Sequence, residues 1–249
     1  MVNPLSHSDN TDDKATVFEE QQLAAYKQVL AAIARTTYVS LYVINWEQRT
    51  FEYVSKNALF LCGLSAEEVK QMGFNFYYSH VPEEDMNLLI QASKIGIDFF
   101  ERIPHEERTA YTISYDFHIK SDNKLVLVHH KLTPLVLNET GQLKKAICVV
   151  SLSTEKTAGN IRIFKKGDMH IFEYDAENKL WNSIPTITLT TREREILQLS
   201  IRGFTINEIA KKTFLSPETI KFHRKKMFKK MEVTNMSEAI FYAANNRLL

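Results

Sequence analysis

Two cysteines, Cys62 and Cys148, are all that the 249 residues carry, and their separation matches no metal-ligand spacing. That scarcity excludes a disulfide framework and fits a reducing compartment, with both thiols acting as small buried hydrophobes. The sequence does not open on a basic-then-apolar leader, and no apolar run approaches the ~20 residues that span a bilayer. The chain is therefore expected in the cytoplasm, without a membrane partner. Catalytic patterns are missing as well. Glycine numbers only seven, with no phosphate-cradling glycine loop, and neither paired carboxylates nor a nucleophile beside a base can be found. Enzymatic activity is not expected, and neither a cofactor nor a metal is assigned.

An excess of one charge is lacking only on average. Thirty-one Lys+Arg against thirty Asp+Glu leave a formal net charge of +1. Residues 186–249 hold twelve basic and six acidic residues, a net of +6, whereas the preceding 185 hold nineteen and twenty-four, a net of −5. The length suffices for two domains that each bury a core. A compact basic region on a mildly acidic remainder suggests a nucleic-acid-binding module attached to something else.

Residues 1–14 are polar and aperiodic and are expected to form a disordered tail. Over 15–36, Phe18, Gln22, Ala25, Tyr26, Val29, Leu30 and Ile33 recur at helical spacing, an amphipathic helix that either caps the next domain or pairs with its copy. From Tyr38 the texture is that of strands, with two β-rich runs joined by a four-residue polar link. Short helices follow over Lys56–Cys62 and Ala66–Met72, the second capped by Ser65 with Glu68, and a longer one starts after Pro82. Three more strands follow: Tyr111–Lys120, Lys124–Val136 and Lys144–Ser153. Segment 156–183 reads as two or three further strands, an extra β-hairpin unit that either extends the sensory sheet or stands between the domains, and Asn182–Thr186 as a short linker.

That order, with Tyr53-Val-Ser-Lys-Asn57, Cys62-Gly-Leu-Ser-Ala-Glu-Glu-Val69 and Gly73-Phe-Asn-Phe-Tyr-Tyr-Ser-His-Val-Pro-Glu-Glu-Asp85, resembles a PAS sensory domain over 37–155. Val81 is inserted in the last motif. The resemblance implies a five-stranded antiparallel sheet with helices on one face enclosing a pocket, and dimerisation or ligand sensing. Trp46, Phe74, Phe76, Tyr77 and Tyr78 are candidates to line a cavity for an unidentified small ligand. Phe76 stands where light-sensing relatives carry a flavin-reactive cysteine, so no flavin adduct can form. The adjacent His129 and His130 must point to opposite faces of their strand, and cannot ligate one metal together.

Residues 184–249 read as four helices. Thr190 with Glu193 and Thr205 with Glu208 are two capping boxes, Gly203 stands between them, and Ser216-Pro217 opens a third helix. In that helix Ile220, Met227 and Met231, with Arg224 between them, follow the spacing of a buried seam, while Lys221, Lys225 and Phe228 project elsewhere. A fourth helix covers about Ser237–Asn245. Leu189-Thr-x-Arg-Glu-Arg-Glu-Ile-Leu, Gly203, Glu208-Ile-Ala210, Leu215-Ser216, Thr219-Ile-Lys-x-His223 and Lys230-Met-x-Val233 resemble the LuxR-type DNA-binding domain. Two positions depart from it: Glu232 stands where Gly is usual, which puts the left-handed turn there in question, and Met236 where Arg is common.

The resemblance implies an all-α helix-turn-helix domain that binds double-stranded DNA as a homodimer. By position it assigns Lys221, Phe222 and Lys225 to base reading, Thr205, Lys211, Thr219 and Lys229 to phosphate contacts, and Ala239, Ile240, Ala243 and Ala244 to dimerisation. His223 is expected to be a half-buried packing residue. The whole chain is then an α+β protein, with a PAS-like antiparallel sheet and flanking helices followed by a four-helix DNA-binding domain, and its expected function is transcription regulation. The alternatives are a protein-interaction module with a basic helix and a small-ligand enzyme in the PAS-like cavity. A response regulator would need a phosphorylatable Asp at a strand end, and Asp12-Asp13 follow no strand.

Overall fold

The computed structural model describes residues 24–121, 124–246 and 248, and the chain divides into two compact units, one ending at Lys166 and the other beginning at Gly167. The expected tail 1–14 and the start of the expected N-terminal helix lie outside the described residues. Residues 24–36 are helical (α1), with Leu30 and Ala34 buried but Val29 59% and Ile33 44% exposed. The apolar stripe is therefore wider than the contact it makes, and only one edge of it packs.

In the first unit β1 (Ser40–Asn45) and β2 (Thr50–Val54) form the expected hairpin, followed by α2 (Ala58–Leu61), α3 (Ala66–Met72), α4 (Asn75–His80) and α5 (Glu83–Glu101). A 3-10 helix, His105–Ala110, then leads into β3 (Tyr111–Ser121), β4 (Lys124–Leu137), β5 (Leu143–Leu152) and β6 (Gly159–Lys165). All pairings are antiparallel, in the order β2-β1-β5-β4-β3-β6. Five of these strands, with the helices inserted between the second and third, are the sheet that the PAS resemblance implies.

Local chemistry explains the elements. Ser65 accepts from the Glu68 amide while Glu68 accepts from the Ser65 amide, which fixes the first turn of α3. Pro134 has no N–H to give the ladder, and the β4–β5 register shifts at that residue. α5 runs on to Glu101, past the expected Lys94, and its Asp85 accepts from both the backbone amide of His118 and the ring Nδ1 on β3.

Segment 156–183 divides between its two expected alternatives. Its first strand, β6, pairs with the edge of β3, where Ile161 and Ile163 become buried. An unpaired strand edge and an alternating apolar pattern are enough to recruit it. The remaining strands, β7 (His170–Asp175) and β8 (Leu180–Pro185), form a hairpin in the second unit that absorbs most of the expected linker.

The inner face of the sheet carries an aromatic core in which Tyr42 stacks on Phe60 at 4.2 Å and Phe60 meets Phe76 at 4.7 Å. Within it, the Tyr42 hydroxyl lies 2.7 Å from that of Tyr77 and 2.6 Å from His130 Nε2. His129 points the other way, to Asp116 on the outer face at 3.0 Å.

The second unit ends in α6 (Thr191–Ile201), α7 (Ile206–Thr213), α8 (Pro217–Met231) and α9 (Met236–Asn245). Both capping boxes form, and Ser216 accepts from the Thr219 amide with Pro217 at the first helical position. One core cluster joins Ile196, Ile209, Ala210 and Ile220, and a second joins Leu197, Met227, Met231, Ala239 and Ala243.

Candidate nucleic-acid interface

α8 carries its chemistry by angle. At roughly 100° per residue, Ile220, Met227 and Met231 fall within one narrow sector, and all three are buried. On the opposite side Lys221, Phe222, Lys225, Lys226 and Lys229 are exposed, Phe222 to 64%. The only acid on that side is Glu218, whose carboxylate lies 3.9 Å from Lys221 in an exposed pair. The sequence-assigned base readers and Lys229 therefore share one surface, and Lys226 joins them. The helical angle that places Lys221 also places Lys226.

Three residues of the basic stretch are committed elsewhere. Lys230 donates to the buried Glu193 carboxylate at 2.6 Å and to the Thr188 carbonyl at 3.2 Å, bolting α8 to α6. Arg224 is half-buried with its guanidinium 5.7 Å from the Phe228 ring centre. Phe228, expected to project away from the core, packs partly buried against the Leu197–Met227 cluster. His223 is half-buried beside Phe222, as its position suggested.

The residues assigned to phosphates are scattered in accessibility. Lys211 and Lys229 are exposed. Thr205 caps α7 and already donates its hydroxyl to Glu208 at 2.8 Å, so a phosphate would have to displace a carboxylate. The half-buried Thr219 hydroxyl lies 2.9 Å from that of Ser216.

The assigned dimerisation face needs correcting. Ala239 and Ala243 are fully buried in the domain's own core, and Ile240 packs against the same cluster. Of the four residues only Ala244 is exposed, alongside Ser237, Glu238 and Phe241 one to two turns back. α9 is apolar on two sides, and the alanines give α6 and α8 the closer approach.

Glu232 keeps the left-handed exit that the family pattern serves with glycine: its φ is 55° and ψ 37°, and the Val233 amide donates back to the Phe228 carbonyl. Glu232→Gly should therefore stabilise the protein by about 0.5–1 kcal/mol in urea unfolding, the relief of αL strain being partly offset by the greater freedom of unfolded Gly.

The five aromatic residues expected to line a ligand cavity do not come together at the cavity under α5. Phe76 is buried in the aromatic core, the Tyr77 hydroxyl is bonded to Tyr42, Tyr78 is 68% exposed, and Phe74 packs against Phe51 and Trp46. The reason is α4, which turns these neighbours in three directions. That cavity, of about 280 Å³, opens between the C-terminal half of α5 and strands β3 and β4, and Trp46 alone of the five borders it.

Comparison with known proteins bears on the helical region. Residues 187–243 match the family model described as bacterial regulatory proteins, luxR family. The chain is 41% identical over 69 residues to the CsgBAC operon transcriptional regulatory protein of Escherichia coli (strain K12), covering 28% of this chain and 32% of that protein. It is 37% identical over 68 residues to the transcriptional regulatory protein LiaR of Bacillus subtilis (strain 168), covering 27% and 32%. The match thus spans about a third of the length of these curated relatives. A crystal structure of a Vibrio cholera VqmA–ligand–DNA complex aligns with 84% of this chain and 83% of its own at 17% identity, with a TM-score of 0.32, too low to carry an argument. The match falls on the residues that form both capping boxes and the basic face of α8, so residues 187–243 are similar to the DNA-binding region described for the luxR family of bacterial regulatory proteins.

Proposed function

We propose that this protein is a sequence-specific, DNA-binding transcription regulator of the cytoplasm that acts as a dimer on DNA, with its PAS-like domain sensing a small ligand. One observation carries the reading: within the luxR-family match, α8 turns Lys221, Lys225, Lys226 and Lys229 to solvent on one face, opposite its buried seam. Lysine ammonium groups donate to guanine O6 and N7 in the major groove, an exposed ring such as Phe222 meets thymine methyls, and the outer lysines neutralise phosphates. A two-fold pair of such helices reads half-sites about one helical turn apart.

Titrating the full-length protein with duplexes selected from a random pool, at several salt concentrations, tests this. Affinity should fall steeply with salt, and Lys229→Ala should weaken all sequences alike while lowering the salt slope by about 1. Lys221→Ala should cost about 1–3 kcal/mol on the selected sequence and relax the preference for it. Salt-insensitive or absent duplex binding would favour a protein partner for the basic helix.

A further inference from the structure

We infer that the ligand sensed by the PAS-like domain is an uncharged, largely apolar molecule of up to two fused rings, held in the cavity under the second half of α5. The inference rests on the sensing role proposed above and adds the chemistry of what is sensed.

Size comes first. The cavity holds about 280 Å³, nearly twice the ~150 Å³ that admits benzene in an engineered apolar cavity. Shape and polarity come from the lining. Trp46, Phe99, Phe100, Tyr111 and Tyr115 supply aromatic edges and faces, and Ala92 and Gly96 form a roof without bulk. A Cβ added at Gly96 would come within 2.7 Å of Ile113 Cδ1, so this glycine sets how closely α5 approaches β3.

Charge is decided by what the cavity cannot offer. Among the described residues lining it there is no basic side chain, and the two acids, Glu47 and Glu101, are exposed. Two cations lie beside lining rings, Arg108 at 5.2 Å from the Phe100 ring centre and Lys165 at 5.7 Å from that of Tyr111, but Arg108 donates to the carbonyls of Ile103, Gly141 and Glu101 and Lys165 is paired with Glu107 at 2.7 Å. Several lining polar groups are likewise engaged. The Thr112 hydroxyl pairs with that of Thr133 at 2.7 Å, and Asn138 Oδ1 accepts from the backbone amides of Thr140 and Gln142. An anion would enter without a counter-ion and lose its hydration, whereas a neutral ring system loses little.

The test uses the full-length protein with 2-naphthol and with two size-matched pairs, 2-naphthamide against 2-naphthoate and 2-naphthylmethanol against 2-naphthylmethylammonium, read by calorimetry and by thermal melting. The neutral probes should bind and raise the melting temperature, with each ion at least about tenfold weaker than its neutral match. Ile97→Trp and Ser93→Leu, which fill the cavity from two positions on α5, should each abolish the 2-naphthol shift. Circular dichroism confirms folding, and a variant that fails to fold leaves the decision to the other. Binding of an ion equal to or tighter than that of its neutral match, no binding of the neutral probes, or binding untouched by both folded variants would overturn the assignment. Native mass spectrometry separates the two layers: a co-purifying anion would overturn the ligand class but leave sensing intact. If 2-naphthol binds as expected without changing DNA affinity, the cavity chemistry is supported.

Discussion

Lowering the pH from 6.5 to 4 should remove about 3 kcal/mol of stability through His130 alone, a loss that His130→Gln should abolish. This imidazole is 2% exposed in the inner face of the sheet, with Nε2 on the Tyr42 hydroxyl and Nδ1 without a hydrogen-bond partner. Burial, reinforced by the neighbouring His129, pushes its pKa from 6.5 down to about 3. Between those values the unfolded chain takes up a proton that the folded chain refuses. Its stabilising effect is therefore complete above about 6.5 and drains away as pH falls, at about 1.4 kcal/mol per pH unit well below 6.5. Urea midpoints at half-unit pH steps read this directly. Glutamine keeps a polar group within reach of Tyr42 but cannot titrate, so wild type and variant should diverge below pH 6.5. Parallel pH profiles down to pH 4.5 would sink the idea.

What the sequence revealed follows the range of the interactions concerned. Capping boxes link residues three apart, so Ser65–Glu68, Thr190–Glu193 and Thr205–Glu208 were readable from one stretch of chain, and all three form. The exposed face of α8 follows from helical angle, which is local too. Contacts between elements were not readable. Nothing near Lys230 in sequence says that its ammonium reaches back 37 residues to Glu193. The alternation of β6 fits any sheet edge, so extension of the sheet was one of two open readings and its pairing with β3 in particular was not legible. α9 offered apolar residues on adjacent sides, and only the packed core decides that Ala239 and Ala243 turn inward while Ala244 does not. Phe74, Phe76, Tyr77 and Tyr78 lie within five residues of sequence, but a helix scatters such neighbours around its axis, and none of the four borders the cavity under α5.

Lys230→Met should destabilise the DNA-binding domain by about 3 kcal/mol, the usual consequence of leaving one partner of a buried ion pair alone. The Glu193 carboxylate is 1% exposed; its Oε2 accepts from Lys230 Nζ at 2.6 Å and from the Thr190 amide at 2.9 Å, and its Oε1 has no hydrogen-bond partner. Burial pushes this carboxyl upward, but the bonds from Lys230 and Thr190 outweigh it and hold the pKa below its ordinary 4.5. Its contribution is thus present above pH 4.5 and lost as pH falls through the depressed value. Methionine preserves most of the stem but withdraws the charge, so the carboxyl of the variant should titrate higher. The gap between variant and wild type should then narrow as acid neutralises Glu193 in both. Adding Glu193→Gln to Lys230→Met should recover most of the loss at pH 7, because an amide oxygen can still accept from Thr190 without needing a cation. A double-mutant cycle in urea measures the coupling; a coupling near zero would mean that water, rather than Lys230, compensates Glu193, and that α6 and α8 are held by their apolar seam alone.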